Sequence, residues 1–129
     1  MHKTTFLPLT VDAAMRAGAT HVLHRAVDAE RSAAECWTAL LAGCGSAGRG
    51  GLEPKLRQLS EATSEQVGTR WWSTEGACHR SRIARAQSHI EDAIADGDGQ
   101  EFARAFVGYD HAMASAVVCA GTRVETPTP

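Results

Sequence analysis

The chain has 129 residues, of which 43% are hydrophobic and 22% are charged, and its formal net charge is −2 at pH 7. This length and composition predict one folded domain with its own core, and they exclude a disordered chain or one that needs disulfides or a structural metal to fold. The slight negative charge argues against general binding to polyanions.

Composition also indicates an origin and a location. Alanine, glycine and arginine are abundant while lysine occurs only at Lys3 and Lys55, which favours a bacterial or phage source. Residues 1–10 lack the apolar core of a secretory signal, because Pro8 and then Asp12 interrupt it. No stretch reaches the roughly 18 uninterrupted apolar residues of a membrane helix. We therefore expect a cytoplasmic protein that does not enter a membrane.

The first predicted helix begins at Thr10, whose hydroxyl suits the N-cap position. From there an apolar residue recurs every three or four positions as far as Leu41, the spacing of a helix that buries one face. Such a helix would span about 45 Å at 1.5 Å per residue. Gly18 lies inside it and is a point where it could bend. The glycine-rich run Gly43–Gly51 then ends the helix.

The second predicted helix opens at Glu53-Pro54, where the missing N–H of proline costs nothing. Its apolar face continues to Trp71. The segment Ser73–Gly76 coincides with a shift of helical register, which favours a break there and a third helix after it. One unbroken helix from residue 53 to residue 95 is the alternative.

The run Asp96–Gly99 separates the last two predicted helices. Asp98 and Glu101 have the spacing of a reciprocal capping box, with Asp in place of the usual Ser or Thr. The last helix is predicted to end at Gly121, and residues 122–129 are expected to form a flexible C-terminal tail. These elements predict an all-α fold in a single domain over residues 1–121. Its architecture would be an antiparallel helical bundle with a long N-terminal helix, of four helices, or three if the second and third are continuous.

Two features predict a contact with a partner. The first helix exceeds its neighbours in length, so its first turns, with Phe6, Leu7 and Leu9, must either fold over the end of the bundle or meet another subunit. Adjacent helical residues point about 100° apart, so Trp71 and Trp72 cannot share one core. Trp71 continues the apolar face, which leaves Trp72 at its margin, beside Arg70. We predict that Trp72, Arg70, Phe6 and Leu7 bind a partner, or that Trp72 is covered by the N-terminal residues.

An arginine-rich stretch follows the tryptophans. Arg82, Arg85 and His89 fall on one face of the third predicted helix, while the acidic residues concentrate after residue 90. This face indicates either a basic ridge for nucleic acid or an acidic protein, or a solvated face that pairs with the acidic part of the last helix. The candidate nucleic-acid-binding residues are Arg80, Arg82 and Arg85.

The four cysteines, at positions 36, 44, 78 and 119, have spacings that match no zinc or haem motif. In an up-down bundle Cys78 and Cys119 would lie level on facing helices, either as a redox pair or as small buried hydrophobic residues. The histidines form single-turn pairs with carboxylates, and the Glu-x-x-His motif of a di-iron bundle is absent. We expect no catalytic residue, metal or cofactor.

The sequence therefore predicts a non-enzymatic helical protein that acts by association, as a homo-oligomer or as an adaptor in a larger assembly. A nucleic-acid-associated regulator that uses the arginines is the alternative. A bundle enzyme or metal carrier built on the histidines is a second alternative.

Overall fold

A computed structural model describes residues 5–43 and 51–125, with side chains up to residue 120. Every regular element within these ranges is an α-helix, so the predicted all-α class is confirmed. The number of helices is six rather than the predicted four. They are α1 (Pro8–Ala17), α2 (Thr20–Leu41), α3 (Leu52–Val67), α4 (Thr69–Ser73), α5 (Ala77–Asp96) and α6 (Gly99–Glu125).

The prediction of a single long N-terminal helix is wrong. Gly18 ends α1, and α2 begins as a separate helix at Thr20. Gly18 adopts the left-handed conformation with a φ of 66°. Its N–H donates to the carbonyl of Met15, and the N–H of Ala19 donates to that of Ala14. This is the closure by which a glycine commonly terminates a helix. The turn lets α1 pack against both α2 and α6.

The predicted break at residues 73–76 is confirmed, and the structure shows a further break at Gly68. Gly68, with a φ of 95°, ends α3, and the short α4 carries the two tryptophans. The chain turns again at residues 74–76 before α5 begins. A Cβ atom on Gly76 would lie 2.7 Å from Cζ3 of Trp71, so only glycine fits against that ring. The continuous helix over residues 53–95 is therefore excluded.

One of the two hydrogen bonds of the predicted capping box forms in the turn before α6. Asp98 Oδ1 accepts the N–H of Glu101 at 3.0 Å, as an N-cap residue does. The reciprocal bond does not form, because the Asp98 N–H donates to the carbonyl of Ala93. The Glu101 carboxylate instead faces His89 at 3.3 Å. The last helix passes Gly121, where the sequence predicts its end, and continues to Glu125.

The core forms around α6, which packs against α1, α2, α3 and α5. Phe102, Phe106, Tyr109 and Met113 line its inner face and are fully buried. Phe6 meets Phe102, Phe106 and the half-buried Trp37 edge-to-face, with ring centroids 5.3–5.8 Å apart. The facing side of α2 consists largely of alanine, which lets the helices approach closely. The apolar face predicted for α3 is confirmed, since Leu52, Leu56 and Leu59 are all buried.

Candidate interaction surfaces

Two buried carboxylates hold the start of the chain against the core. Glu30 Oε1 accepts the backbone N–H groups of Phe6 and Leu7 at 2.8 and 2.9 Å. Asp110 accepts the N–H of Leu9 at 3.0 Å and that of Thr10 at 2.8 Å. These are N–H groups at the start of α1, where a helix offers no internal acceptor. Asp110 on α6 therefore caps α1 from another helix, and it fixes α1 along α6.

Thr10 shares in this contact rather than serving as the predicted N-cap. The helix already begins at Pro8, and Thr10 lies fully buried in its first turn. Its hydroxyl donates to Asp110 Oδ1 at 2.7 Å. Burial raises the pKa of Asp110 above its usual value, and the nearby Glu30 raises it further. The hydrogen bonds from Thr10 and Leu9 oppose this shift because they favour the ionised carboxylate.

The prediction that Phe6 and Leu7 contact a partner does not fit their position. Both residues are buried in the core of their own chain, and their backbone is bound to Glu30. The N-terminal residues thus fold over the core, which is the other arrangement that the sequence left open. The physical reason is the break at Gly18, which gives α1 room to turn back.

A row of exposed apolar side chains runs along α6 beside α1. Val107 is 71% exposed and Val118 is 56% exposed, and Leu9 of α1 is 49% exposed beside them. His111 lies on the same face of α6, four residues after Val107 and seven before Val118. We call these four residues, Leu9, Val107, His111 and Val118, the α1/α6 ridge.

Leu9 stands between two hollows on this ridge. One, of about 340 Å³, lies between Leu9 and Val107, and Trp37 and Phe106 contribute to its walls. The other, of about 300 Å³, lies between Leu9 and Val118. Asp12 and Arg16 border the second hollow, and their side chains form an exposed ion pair of 2.8 Å. The ridge therefore combines projecting apolar groups, concave apolar spaces and a rim of both charge signs.

A larger groove of about 730 Å³ lies next to this ridge, between α5 and α6. Its floor includes the small residues Ala86, Ala105 and Ala112. We call it the α5/α6 groove and define it by the residues that determine its charge and depth, which are Arg82, Arg85 and His89 of α5 with Arg104, Gly108 and His111 of α6.

The charge in this groove is predominantly positive. Arg82 and Arg85 are exposed and form no ion pair with any residue that the structure describes. Arg104 reaches Glu101 at 3.5 Å, and the pair is exposed on the arginine side. Asp92 is the one carboxylate among the described residues of the lining. Two guanidinium groups that form no ion pair among the described residues therefore lie on one wall of the groove, a placement that favours negative charge nearby.

The structure separates Arg80 from Arg82 and Arg85. Arg80 Nε donates to the carbonyl of Trp72 at 2.7 Å, on the side of α5 next to α4. Arg82 and Arg85 instead line the α5/α6 groove, as their shared helical face predicts. The three predicted nucleic-acid-binding residues therefore do not form one cluster.

The two tryptophans divide as the sequence predicts. Trp71 is buried and stacks on His79 with ring centroids 5.8 Å apart. Trp72 is half-buried and packs against the main core as well as the smaller cluster around Trp71. Arg70 is exposed on the first turn of α4. Trp72 thus offers only part of its surface to a partner.

The structure describes three of the four cysteines, at positions 36, 78 and 119. Cys36 is buried, whereas Cys78 and Cys119 are exposed thiols, so the prediction of small buried residues is wrong for those two. Cys44 lies outside the described residues. Within residues 5–43 and 51–125, no group of three or more His, Cys, Asp or Glu side chains is arranged to hold a metal ion.

Comparison with known proteins adds no family to this geometry. The chain matches no protein-family model, no curated protein and no solved structure. None of the helices in the described ranges combines the length and apolarity that a membrane crossing requires. The two surfaces that border α6 are therefore the features from which we infer a function.

Arg82, Arg85 and His89 of the groove are identified from the sequence, whereas Asp110 and Gly108 are not. Asp110 follows Tyr109 at the edge of the apolar face of α6, and an acidic residue there signals a buried partner. Gly108 interrupts an otherwise alanine-rich helix without ending it. Both signals were present in the sequence, but only the packing of α1 and α5 on α6 gives them meaning.

Proposed function

We propose that this protein acts by self-association, and that two copies meet through the α1/α6 ridge. The observation that carries the proposal is that Leu9, Val107 and Val118 are each about half exposed or more, and that Leu9 borders one hollow with Val107 and another with Val118. Single exposed apolar residues are common on soluble proteins, whereas a contiguous row with hollows beside it is typical of an interface.

The shape of the ridge supports a second copy of the chain as the occupant. A two-fold interface brings the same patch of both subunits together, so the patch must complement itself. Leu9 projects beside hollows of about 340 and 300 Å³, and each is large enough to receive an aliphatic side chain. Asp12 and Arg16 at the rim provide both members of an ion pair, and they could exchange partners across a two-fold axis.

The energetics of the ridge are adequate for a moderate dimer. Complete burial of a fully exposed valine or leucine contributes about 1.5–3 kcal/mol, and roughly half or more of that gain is left for each ridge residue because each is already partly buried. Three such residues on each subunit offset a substantial part of the entropy lost on association. Glutamate at a buried ridge position would leave an unpaired charge, which costs several kcal/mol.

A double substitution tests this proposal. Leu9→Glu with Val118→Glu should raise the dimer dissociation constant by about 100-fold or more in sedimentation equilibrium. Met15→Glu is the matched control, because Met15 is also on α1 and 63% exposed but borders the groove between α1 and α2. An equal effect of both changes, or no effect of the double variant, would exclude the ridge as the interface.

Nucleic-acid binding is the second candidate, and the unpaired Arg82 and Arg85 are the observation in its favour. Their separation from Arg80 and the presence of Asp92 in the same groove weaken it. Binding to DNA or RNA that falls steeply with salt, and that Arg82→Glu with Arg85→Glu removes, would support this candidate.

A further inference from the structure

We infer that the α5/α6 groove binds an amphipathic, acidic helix of a partner protein. This inference is independent of self-association through the α1/α6 ridge. The two surfaces share His111, and Val107 of the ridge also borders the groove. Arg82, Arg85 and Gly108 line the groove but not the ridge, so substitutions at these three residues test the groove separately.

First, helix α5 has most of its surface uncovered by any other described helix. Its 20 residues pack mainly on α6, with a smaller contact to α4. Ile83, Ile90 and Ala93 are its buried residues. The face that carries Arg82, Arg85 and His89 forms one wall of the groove and is open to solvent. A helix at this position would lie between α5 and α6 and complete their packing.

The second step concerns Gly108, in the middle of α6 on the groove side. Glycine destabilises a helix interior relative to alanine, so its presence there needs a reason. The fold supplies none, because an added Cβ atom would have nothing within 4 Å among the described residues. The missing side chain instead deepens the groove, and it would let another backbone approach α6 closely. Close approach over small residues is a common way for two helices to pack.

The third step concerns charge, which determines the chemistry of the occupant. Arg82 and Arg85 lie three residues apart, about one helical turn. Carboxylates spaced by three or four residues on a docked helix could each reach one guanidinium group. The half-buried Ala86 and the exposed Val107 in the lining offer apolar surface to the other face of that helix. Helix-in-groove recognition uses this combination of apolar anchors and charged edges.

An acidic helix fits these observations better than nucleic acid does. Phosphates need cations but not an apolar floor, whereas an amphipathic helix uses both. Gly108 lines the groove, and the binding of phosphates at the arginines gives no reason for a glycine there. The net charge of −2 further disfavours a polyanion while permitting a local acidic contact.

The test is a selection for binding to the full chain. It uses a display library of 20-residue helical peptides whose exposed positions are randomised among Ala, Ser, Leu, Glu and Lys. We expect peptides selected on the full chain to carry Glu in excess of Lys, with apolar residues at helical spacing. Their affinity should fall about tenfold or more for Arg82→Glu with Arg85→Glu, and similarly for Gly108→Leu, which fills the groove without a change of charge. Arg57→Glu is the control, because Arg57 is an exposed arginine of α3.

Three outcomes would overturn the inference. Selected peptides without an acidic bias would contradict its charge argument. Undiminished binding by Gly108→Leu, once circular dichroism shows that the variant is folded, would contradict its shape argument. A 20-base-pair DNA duplex that binds more tightly than the peptides, and that Arg82→Glu with Arg85→Glu releases while Gly108→Leu does not, would assign the arginines to nucleic acid. If the groove binds no acidic helix while the ridge substitutions still dissociate the dimer, only the proposal of self-association is retained.

Discussion

The hydroxyl of Thr10 donates a 2.7 Å hydrogen bond to the carboxylate of Asp110, which lies 100 residues later in the chain. The backbone N–H groups of Leu9 and Thr10 bind the same carboxylate. This contact sets α1 against α6, and it thereby brings Leu9 beside Val107 and Val118. The α1/α6 ridge exists because of a buried polar contact rather than because of the apolar residues alone.

Removal of the Asp110 carboxylate should therefore destabilise the protein. Asp110→Ala leaves the backbone N–H groups of Leu9 and Thr10 without their acceptor, and the Thr10 hydroxyl keeps only the backbone carbonyl of residue 110 at 3.3 Å, at a cost of about 1–3 kcal/mol. Urea unfolding followed by circular dichroism measures this loss. Asp12→Ala is the control, because Asp12 forms only an exposed pair with Arg16. Equal stability of the two variants would show that the Asp110 contact contributes little.

The raised pKa of Asp110 predicts the sign of a pH effect. Between its usual value of 3.8 and the higher pKa in the folded protein, the folded state binds more of this proton than the unfolded state does. The contribution of Asp110 to stability should therefore fall as pH rises through that interval, and then level off. Unfolding free energies of the natural protein and of Asp110→Asn, compared from pH 3.5 to 7, isolate this group. If the unfolding free energy of the natural protein instead rose relative to that of Asp110→Asn as the pH increased, the raised pKa of Asp110 would be contradicted.

Gly108→Ala should stabilise the isolated chain. The position is helical, and an added Cβ atom meets nothing within 4 Å. Alanine in a helix interior is favoured over glycine by about 0.5–1 kcal/mol. Thermal unfolding should show a melting temperature a few degrees higher. A lower melting temperature would mean that α6 needs glycine for its own packing, and would remove the second step of the groove argument.

Gly76→Ala should have the opposite effect. A Cβ atom there would approach the ring of Trp71 to 2.7 Å, and the backbone carbonyl of Trp71 lies 3.0 Å away. The ring must shift, and overpacking of this kind costs about 1–3 kcal/mol. The fluorescence of Trp71 and the melting temperature report the change together. A variant as stable as the natural protein would show that α4 adapts without cost.

The sequence predicts the helices well where one apolar face decides the outcome. The face of α3 through Leu52, Leu56 and Leu59 is confirmed, as is the burial of Trp71 rather than Trp72. Periodicity fails at Gly18 and Gly68, because a glycine inside a periodic segment is compatible with either continuation or an end. The decision at Gly18 comes from the contact of α1 with α6, which lies far away in sequence.

The candidate surfaces were only partly predictable, for the same reason. The common face of Arg82 and Arg85 follows from helical spacing alone. The capture of Arg80 by the Trp72 carbonyl depends on the α4–α5 turn, which no periodicity encodes. The burial of Phe6 and Leu7 depends on Glu30, a residue that the sequence alone presents as one more surface charge.

The molar mass of the natural chain as a function of concentration tests the central claim most directly. Light scattering coupled to size exclusion, run at low and high salt, should show a rise from 13.7 kDa towards twice that value, with little effect of salt because the ridge is apolar. A mass that stays at 13.7 kDa at every concentration would contradict self-association through Leu9, Val107 and Val118.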